Sequence, residues 1–297
     1  MTAAAWSSPT PMSLEHMDVL AAAHATLTTS LDGPLDVSRI RRAQSADAVG
    51  QRVALEDLLI ADLDRLVAEH QLDELPDLGD GERSVALLRK MAARFRLPPI
   101  YRWVAEDATA DDLRRYIAVE GGPDHGFDDL VAVCQLGLPP GPKTELARNY
   151  WDEMGNGASA GMHTVLYRDL IAALDLPDPP EHTAGQRRRD LLMSLLRTRR
   201  DLQPQMVGAL GMVELQAGPR CERVVQGLTR TGLIDDAGPF YDVHADVDPA
   251  HGRDWIDNAV IPLIEEQPWM APAIVRGGAW RCAADADFYA ELDELLR

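Results

Sequence analysis

Residues 55–70 read LEDLLIADLDRLVAEH, and Leu58, Leu59, Leu63, Leu66 and Val67 within them fall on one face of a helix with 3.6 residues per turn. A strand would need apolar residues at every second position, and no comparable alternation occurs in this stretch or elsewhere in the chain. The helical spacing recurs in SVALLRKMAARF (84–95), in DDLRRYIAVE (111–120) running on towards DDLVAVCQLGL, and in KTELARNYWDEM (143–154). It returns in MHTVLYRDLIAALDL (162–176), RRRDLLMSLLRTRR (187–200), QMVGALGMVELQA (205–217), RCERVVQGLTRTGL (220–233), DWIDNAVIPLIEE (254–266) and ADFYAELDELLR (286–297). Pro98-Pro99, the proline-rich 137–143, Pro177 to Pro180 and Gly238-Pro239 punctuate these segments. The fold expected is therefore an all-α bundle over residues 51–297. Residues 1–50, rich in Ala, Ser, Thr and Pro, are expected to form an extension packed on the bundle or partly mobile.

Composition narrows the function. With 46% hydrophobic residues, the 297-residue chain has ample material for a core. Its 48 acidic against 29 basic side chains give a formal net charge of -19, a field that repels nucleic-acid phosphates and anionic lipid. Neither nucleic acid nor a membrane is an expected partner. The leading MTAAAWSSPTPM lacks the basic and apolar regions of a secretion signal, so a cytoplasmic location is expected. Cys134, Cys221 and Cys282 are too few and too far apart for a disulfide framework or a CxxC zinc site.

The sharpest chemical signal is His244-x3-Asp248-x2-His251 in FYDVHADVDPAHG. Offsets of four and seven put two imidazoles and a carboxylate on one helical stripe, which can hold a metal or can form a solvated polar face. Pro249 lies inside the triplet, lacks a backbone donor, and is expected to kink or unwind the helix. Glu153 and His163 form a second pair, ten residues apart in EMGNGASAGMH. On a straight helix they would be separated by about 15 Å. They can share a site only if the chain bends at Gly155, Gly157 and Gly161; otherwise the stretch is helix, turn and helix with an incidental histidine. Glu120 ends an apolar helical stretch before Gly121, Gly122 and Pro123, with Asp124 and His125 competing for any role it has. Three carboxylates and three imidazoles on three helices, without thiolate, suit two irons better than structural zinc.

These segments, NYWDEMGNG with His163, GPRCERVVQGLTRTGL and FYDVHADVDPAHG, together resemble the haem-oxygenase-like diiron oxidases and oxygenases, the iron-containing redox enzymes, over roughly 110–265. The resemblance implies a haem-oxygenase-like helical bundle with Glu120, Glu153, His163, His244, Asp248 and His251 as ligands to two Fe ions. It also implies O2 as cosubstrate, reacting with the diferrous site through a peroxo-diiron(III) intermediate. Among similar enzymes the third carboxylate points to N-oxygenation of a small amine or amino-acid-derived substrate in a biosynthetic pathway, with oxidative C–C cleavage or desaturation of an amino or fatty acid as the alternative. An external electron donor and a homodimer are both compatible with this reading. A haem oxygenase proper would need a single proximal histidine and cationic contacts to haem, and a non-catalytic metal- or ligand-binding bundle would bind metal without consuming O2.

Around this set, Tyr150, Trp151 and Met154 are expected in the core, with a substrate-pocket wall as their other reading. Glu214, a lone carboxylate on an apolar helix, is read first as an ordinary polar residue of that helix, with orienting a ligand imidazole or touching substrate as its other reading. His16, His24, His70 and His182 sit in polar sequence and are expected at the surface.

Overall fold

The structure, a computed structural model, describes residues 11–27, 37–120, 126–177 and 183–297. All regular structure among them is helical. The N-terminal elements are α1 (Leu14–Ala25), α2 (Val37–Ala43), α3 (Ala46–Glu69), α4 (Gly81–Arg94) and α5 (Ile100–Glu106). Then come α6 (Ala110–Glu120), α7 (Phe127–Cys134), α8 (Pro140–Glu153), α9 (His163–Leu174) and α10 (Ala184–Thr198). The C-terminal elements are α11 (Gln203–Thr231), α12 (Ile234–Ala237), α13 (Phe240–Asp254), α14 (Ile261–Glu266) and α15 (Ala271–Leu296). No helix among the described residues is long and apolar enough to cross a membrane.

Helix starts carry their own signals. Ser13, Ser45, Asp80 and Thr183 each accept a backbone N–H three residues on, satisfying a donor that the first turn leaves open. Along α3 the buried face is Leu59, Leu63, Leu66 and Val67, whereas Leu58 is half exposed and lies off that stripe. The same face buries Glu56 and Asp62, which sequence spacing alone gave no reason to expect. The two segments read around 205–217 and 220–233 are one continuous helix, α11, that runs through Pro219.

Two apolar cores lie end to end along α11 and α15. One is built on Met206 to Met212 and the first half of α15; the other on Val224 and Leu228 with Phe288 and Leu292. Between them α11 buries Glu214, Gln216 and Arg220, and α15 buries Arg281 and Asp285. Buried charge must be paired, and here Asp285 accepts from Arg220 at 2.8 Å and from Arg281 at 3.0 Å. Burial pushes the Asp285 carboxyl up, but Arg281, Arg220 and Arg189 together hold it well below the usual carboxylate range. This polar layer between two greasy ends is where the site forms.

At the N-terminal side α1 packs on α10 and α3 through Met17 and Leu20. His24 is 1% exposed, contrary to its expected surface position: its Nδ1 lies 2.8 Å from Ser194 Oγ and its Nε2 lies 2.9 Å from Glu56 Oε1. His70 pairs with Asp287 at 2.9 Å. His182 lies outside the described residues. All three cysteines are buried free thiols.

Candidate metal centre

Glu153 is the last residue of α8, buried on the face that also carries Asn149 one turn earlier. The chain then leaves helical geometry. Gly155, Asn156 and Gly157 all take positive φ, at 60°, 53° and 85°, through two short 3-10 turns before α9 opens on His163. A Cβ at Gly155 would collide with the Gly161 backbone, so the loop closes on itself only because that side chain is absent. The result brings His163 Nδ1 to 2.9 Å from Glu153 Oε2, in place of the 15 Å or so of a straight helix.

From α13, His244 adds a ring centroid 4.4 Å from that of His163. His244 Nδ1 lies 2.7 Å from the Phe240 carbonyl oxygen, which can only accept. Nδ1 must therefore carry the proton, leaving Nε2 as the lone-pair nitrogen. Burial, reinforced by His163, pushes the His244 imidazolium down to about 4, so the ring is neutral at physiological pH.

Glu214 comes from α11. Its Oε1 accepts from Asn149 Nδ2 at 2.6 Å and its Oε2 lies 3.5 Å from His251 Nδ1. His251 donates from Nε2 to Asp152 Oδ2 at 3.1 Å, which turns Nδ1 inward, with Asp248 Oδ1 3.8 Å away. Burial draws the His251 imidazolium down, but Glu214 and Asp152 outweigh it and raise it to about 10. Asp248 is pushed well above the usual carboxylate range by burial and by Glu214 and Glu153.

Two groups of metal-ligand atoms, each within 4.8 Å, result: Glu153, His163 and His244 in one, Glu153, Glu214 and His251 in the other. Glu153 belongs to both. The buried atoms His163 Nδ1 and Asp248 Oδ2 have no hydrogen-bond partner, a costly arrangement unless a cation takes up their lone pairs. Crowded carboxylates and inward-facing imidazoles are the donor set that hard and borderline cations such as iron complete. The residues present fit two irons.

The structure corrects part of the expected set. Glu153, His163, His244 and His251 converge, and Asp248 lies against His251. Glu120 does not join them: its carboxylate meets Tyr289 Oη at 3.4 Å and Arg189 Nη2 at 3.9 Å, in a separate internal cavity. The third carboxylate of the cluster is Glu214. Its competitors near Glu120, Asp124 and His125, lie outside the described residues. Tyr150 packs on the first apolar core as expected, but Trp151 is 53% exposed and lies against Gly157, so it is neither core nor pocket wall. Pro249 does not end α13, which continues to Asp254 and passes into a π-helical turn over Trp255–Val260. Asp152 and Asn149, which orient His251 and Glu214, carried no signal in the sequence beyond their nearness to Glu153.

A family model described as iron-containing redox enzyme matches residues 115–286, more than half of the chain. The chain belongs to this family. No curated protein matches it. The stretch shared with the iron-containing redox enzymes runs from α6 into α15 and holds every residue of the cluster, and the haem-oxygenase-like all-α bundle follows from the same match. The protein is thus an iron-dependent oxidoreductase by family, and its buried carboxylate and histidine cluster is compatible with iron.

Proposed function

We propose that the protein is a non-haem diiron oxygenase that uses O2 and two electrons from an external donor to place one oxygen atom on the nitrogen of a small amine or amino-acid-derived substrate, the other oxygen leaving as water. The observation that carries the two-metal reading is the position of Glu153, whose carboxylate belongs to both ligand groups and so can bridge two ions. Glu153, His163 and His244 would hold one iron; Glu153, Glu214 and His251, with Asp248 beside them, would hold the other. Iron bound there supplies the electron transfer to O2 that no side chain can supply.

The protein's own groups set the terms of that chemistry. The Phe240 carbonyl fixes the His244 tautomer, and Asp152 turns His251 Nδ1 into the cluster. Asn149 donates to Glu214 and fixes which oxygen faces His251. Burial of the Glu153, Glu214 and Asp248 carboxylates keeps bulk water from competing for the site.

Iron stoichiometry after anaerobic loading, followed by O2 uptake and product mass with a panel of small amines and amino acids, tests the proposal. Two irons per chain and a product one oxygen heavier at nitrogen are expected. A single metal, a preference for zinc, or no substrate-dependent O2 uptake would overturn it.

A further inference from the structure

Four of the chain's six tyrosines, Tyr101, Tyr116, Tyr241 and Tyr289, line the internal cavity of about 30 Å³ that holds the Glu120 carboxylate. Phenols can give up an electron, and one ring separates this group from the metal centre. The Tyr241 and Phe240 ring centroids are 5.1 Å apart, and that of Phe240 is 4.5 Å from that of His244. The same phenylalanine holds His244 Nδ1 through its carbonyl oxygen at 2.7 Å. Aromatic rings thus lead from a metal-facing imidazole to the cavity wall.

An oxidised phenol is a strong acid, so a phenol buried away from water gives up an electron readily only where its proton has an acceptor within hydrogen-bond reach. Tyr116 and Tyr241 fail that condition, since neither hydroxyl has a hydrogen-bond partner, and Tyr101 donates to another phenol. Tyr289 meets it. Its Oη donates to Glu120 Oε1 at 3.4 Å and accepts from Tyr101 Oη at 2.8 Å. Burial pushes the Tyr289 phenol up to about 12, a rise that Arg220 and Arg189 check, so it carries its proton at physiological pH. The Arg220 guanidinium lies 4.9 Å and that of Arg189 5.8 Å from the centre of the Tyr289 ring. Cations so placed oppose a positive charge on the ring, and the proton therefore has to leave with the electron. Helices α5, α6 and α15 each supply one member of this arrangement.

We propose that Tyr289, with Glu120 as its proton acceptor, is a redox-active tyrosine that supplies one electron to the metal centre through Tyr241 and Phe240. The proposal rests on the reading of the cluster as an iron centre that reacts with O2, and iron oxidised there is the one-electron oxidant. The Tyr289 O–H bond breaks, its proton forms an O–H bond on Glu120, its electron reduces the iron, and a neutral phenoxyl radical stays hydrogen-bonded to Tyr101. One electron from the external donor and the proton held on Glu120 restore the phenol. Glu120, which stands apart from the metal ligands, thereby gains a part in the chemistry. When no substrate is in place, this route draws oxidising equivalents away from the ligand side chains.

Mixing the ferrous, iron-loaded protein with O2 in the absence of substrate, freezing at intervals and recording electron paramagnetic resonance tests this. A tyrosyl signal should rise and decay, and ring-deuterated tyrosine should narrow it. Tyr289→Phe should abolish that signal. Glu120→Gln should slow its formation about 100-fold or more, since the proton loses its acceptor. Tyr116→Phe, in the same wall but outside the hydrogen-bonded pair, should leave the signal intact, which separates loss of the redox site from disturbance of the cavity. Iron content of each variant should match wild type. No tyrosyl signal, the same signal in Tyr289→Phe, equal rates with and without the Glu120 carboxylate, or loss of the signal in Tyr116→Phe as well would overturn the proposal. Iron analysis separates its failure from that of the metal-centre reading. Two irons that react with O2 without a tyrosyl signal would count against the redox tyrosine alone, and a protein that takes up no iron would count against both.

Discussion

Gly218 of α11 faces Pro249 of α13 so closely that a Cβ on Gly218 would lie 2.8 Å from the proline Cδ. The proline ring fills the notch that the glycine leaves. This contact sits one turn beyond Glu214 and directly after Asp248, so it sets how near α11 and α13 bring their metal-facing carboxylates. It also accounts for a helix that continues past a residue with no backbone donor: tertiary packing holds what local propensity opposes.

Gly218→Ala should push the two helices apart. Overpacking of this kind costs about 1–3 kcal/mol. Lower unfolding stability together with the loss of at least part of the iron is expected, read by denaturant titration and metal analysis. Full iron content at unchanged stability would show that the notch has no part in the site.

Glu214→Ala should remove at least one iron, because the second ligand group then keeps only Glu153 and His251 of its three members. Glu120→Gln should leave iron content at the wild-type level, because its carboxylate lies with Tyr289 and Arg189. Metal analysis of the two variants side by side decides between these carboxylates, and the opposite pattern would return Glu120 to the cluster.

That choice marks how far sequence could reach. Helices were legible because apolar spacing survives without knowledge of neighbours, and the candidate triplet of α13 was legible because one helix fixes its offsets. Glu120 and Glu214 carried the same signal, a lone carboxylate on an apolar helix. Only the packing of α11 against α13 separates them, and no pattern within one helix encodes how two helices register. Asp152 was hidden for a similar reason: it is adjacent to Glu153 and points elsewhere, to a histidine 99 positions away. Leu58 shows the limit even for helices, since apolar residues next to a buried stripe look the same in sequence as those on it.

Asp152→Asn should weaken metal binding without abolishing it. An amide can still meet His251 Nε2 but no longer favours the same proton position or lends charge, and losses at such outer carboxylates are about 10- to 100-fold in affinity. Chelator competition should show that loss, with a larger one in His251→Ala. Equal affinity in Asp152→Asn and wild type would mean that the His251 ring is held by packing alone.

Acid should weaken the docking of α1. Burial pushes the Glu56 carboxyl up, but His24, Arg52 and Arg199 outweigh it and hold it below its ordinary 4.5. A carboxyl lowered in the folded state stabilises above its unfolded value, and that contribution disappears as pH falls through the folded one. Glu56→Gln should therefore cost stability at pH 7, about 3 kcal/mol for a broken buried pair. The gap from wild type should narrow as pH drops below about 4.5. Urea midpoints of both proteins at pH 7 and pH 3.5 check the sign, and a gap that widens in acid would be the wrong one.

The turn between Glu153 and His163 has a consequence for how such centres diversify. Because three successive residues of positive φ, and not a helical repeat, carry the chain back on itself, the number of residues between these two ligands is not tied to the distance between them. A hinge of another length that closed at the same point would present the same two side chains. Any search that demands a fixed interval between glutamate and histidine would then pass over centres of identical shape.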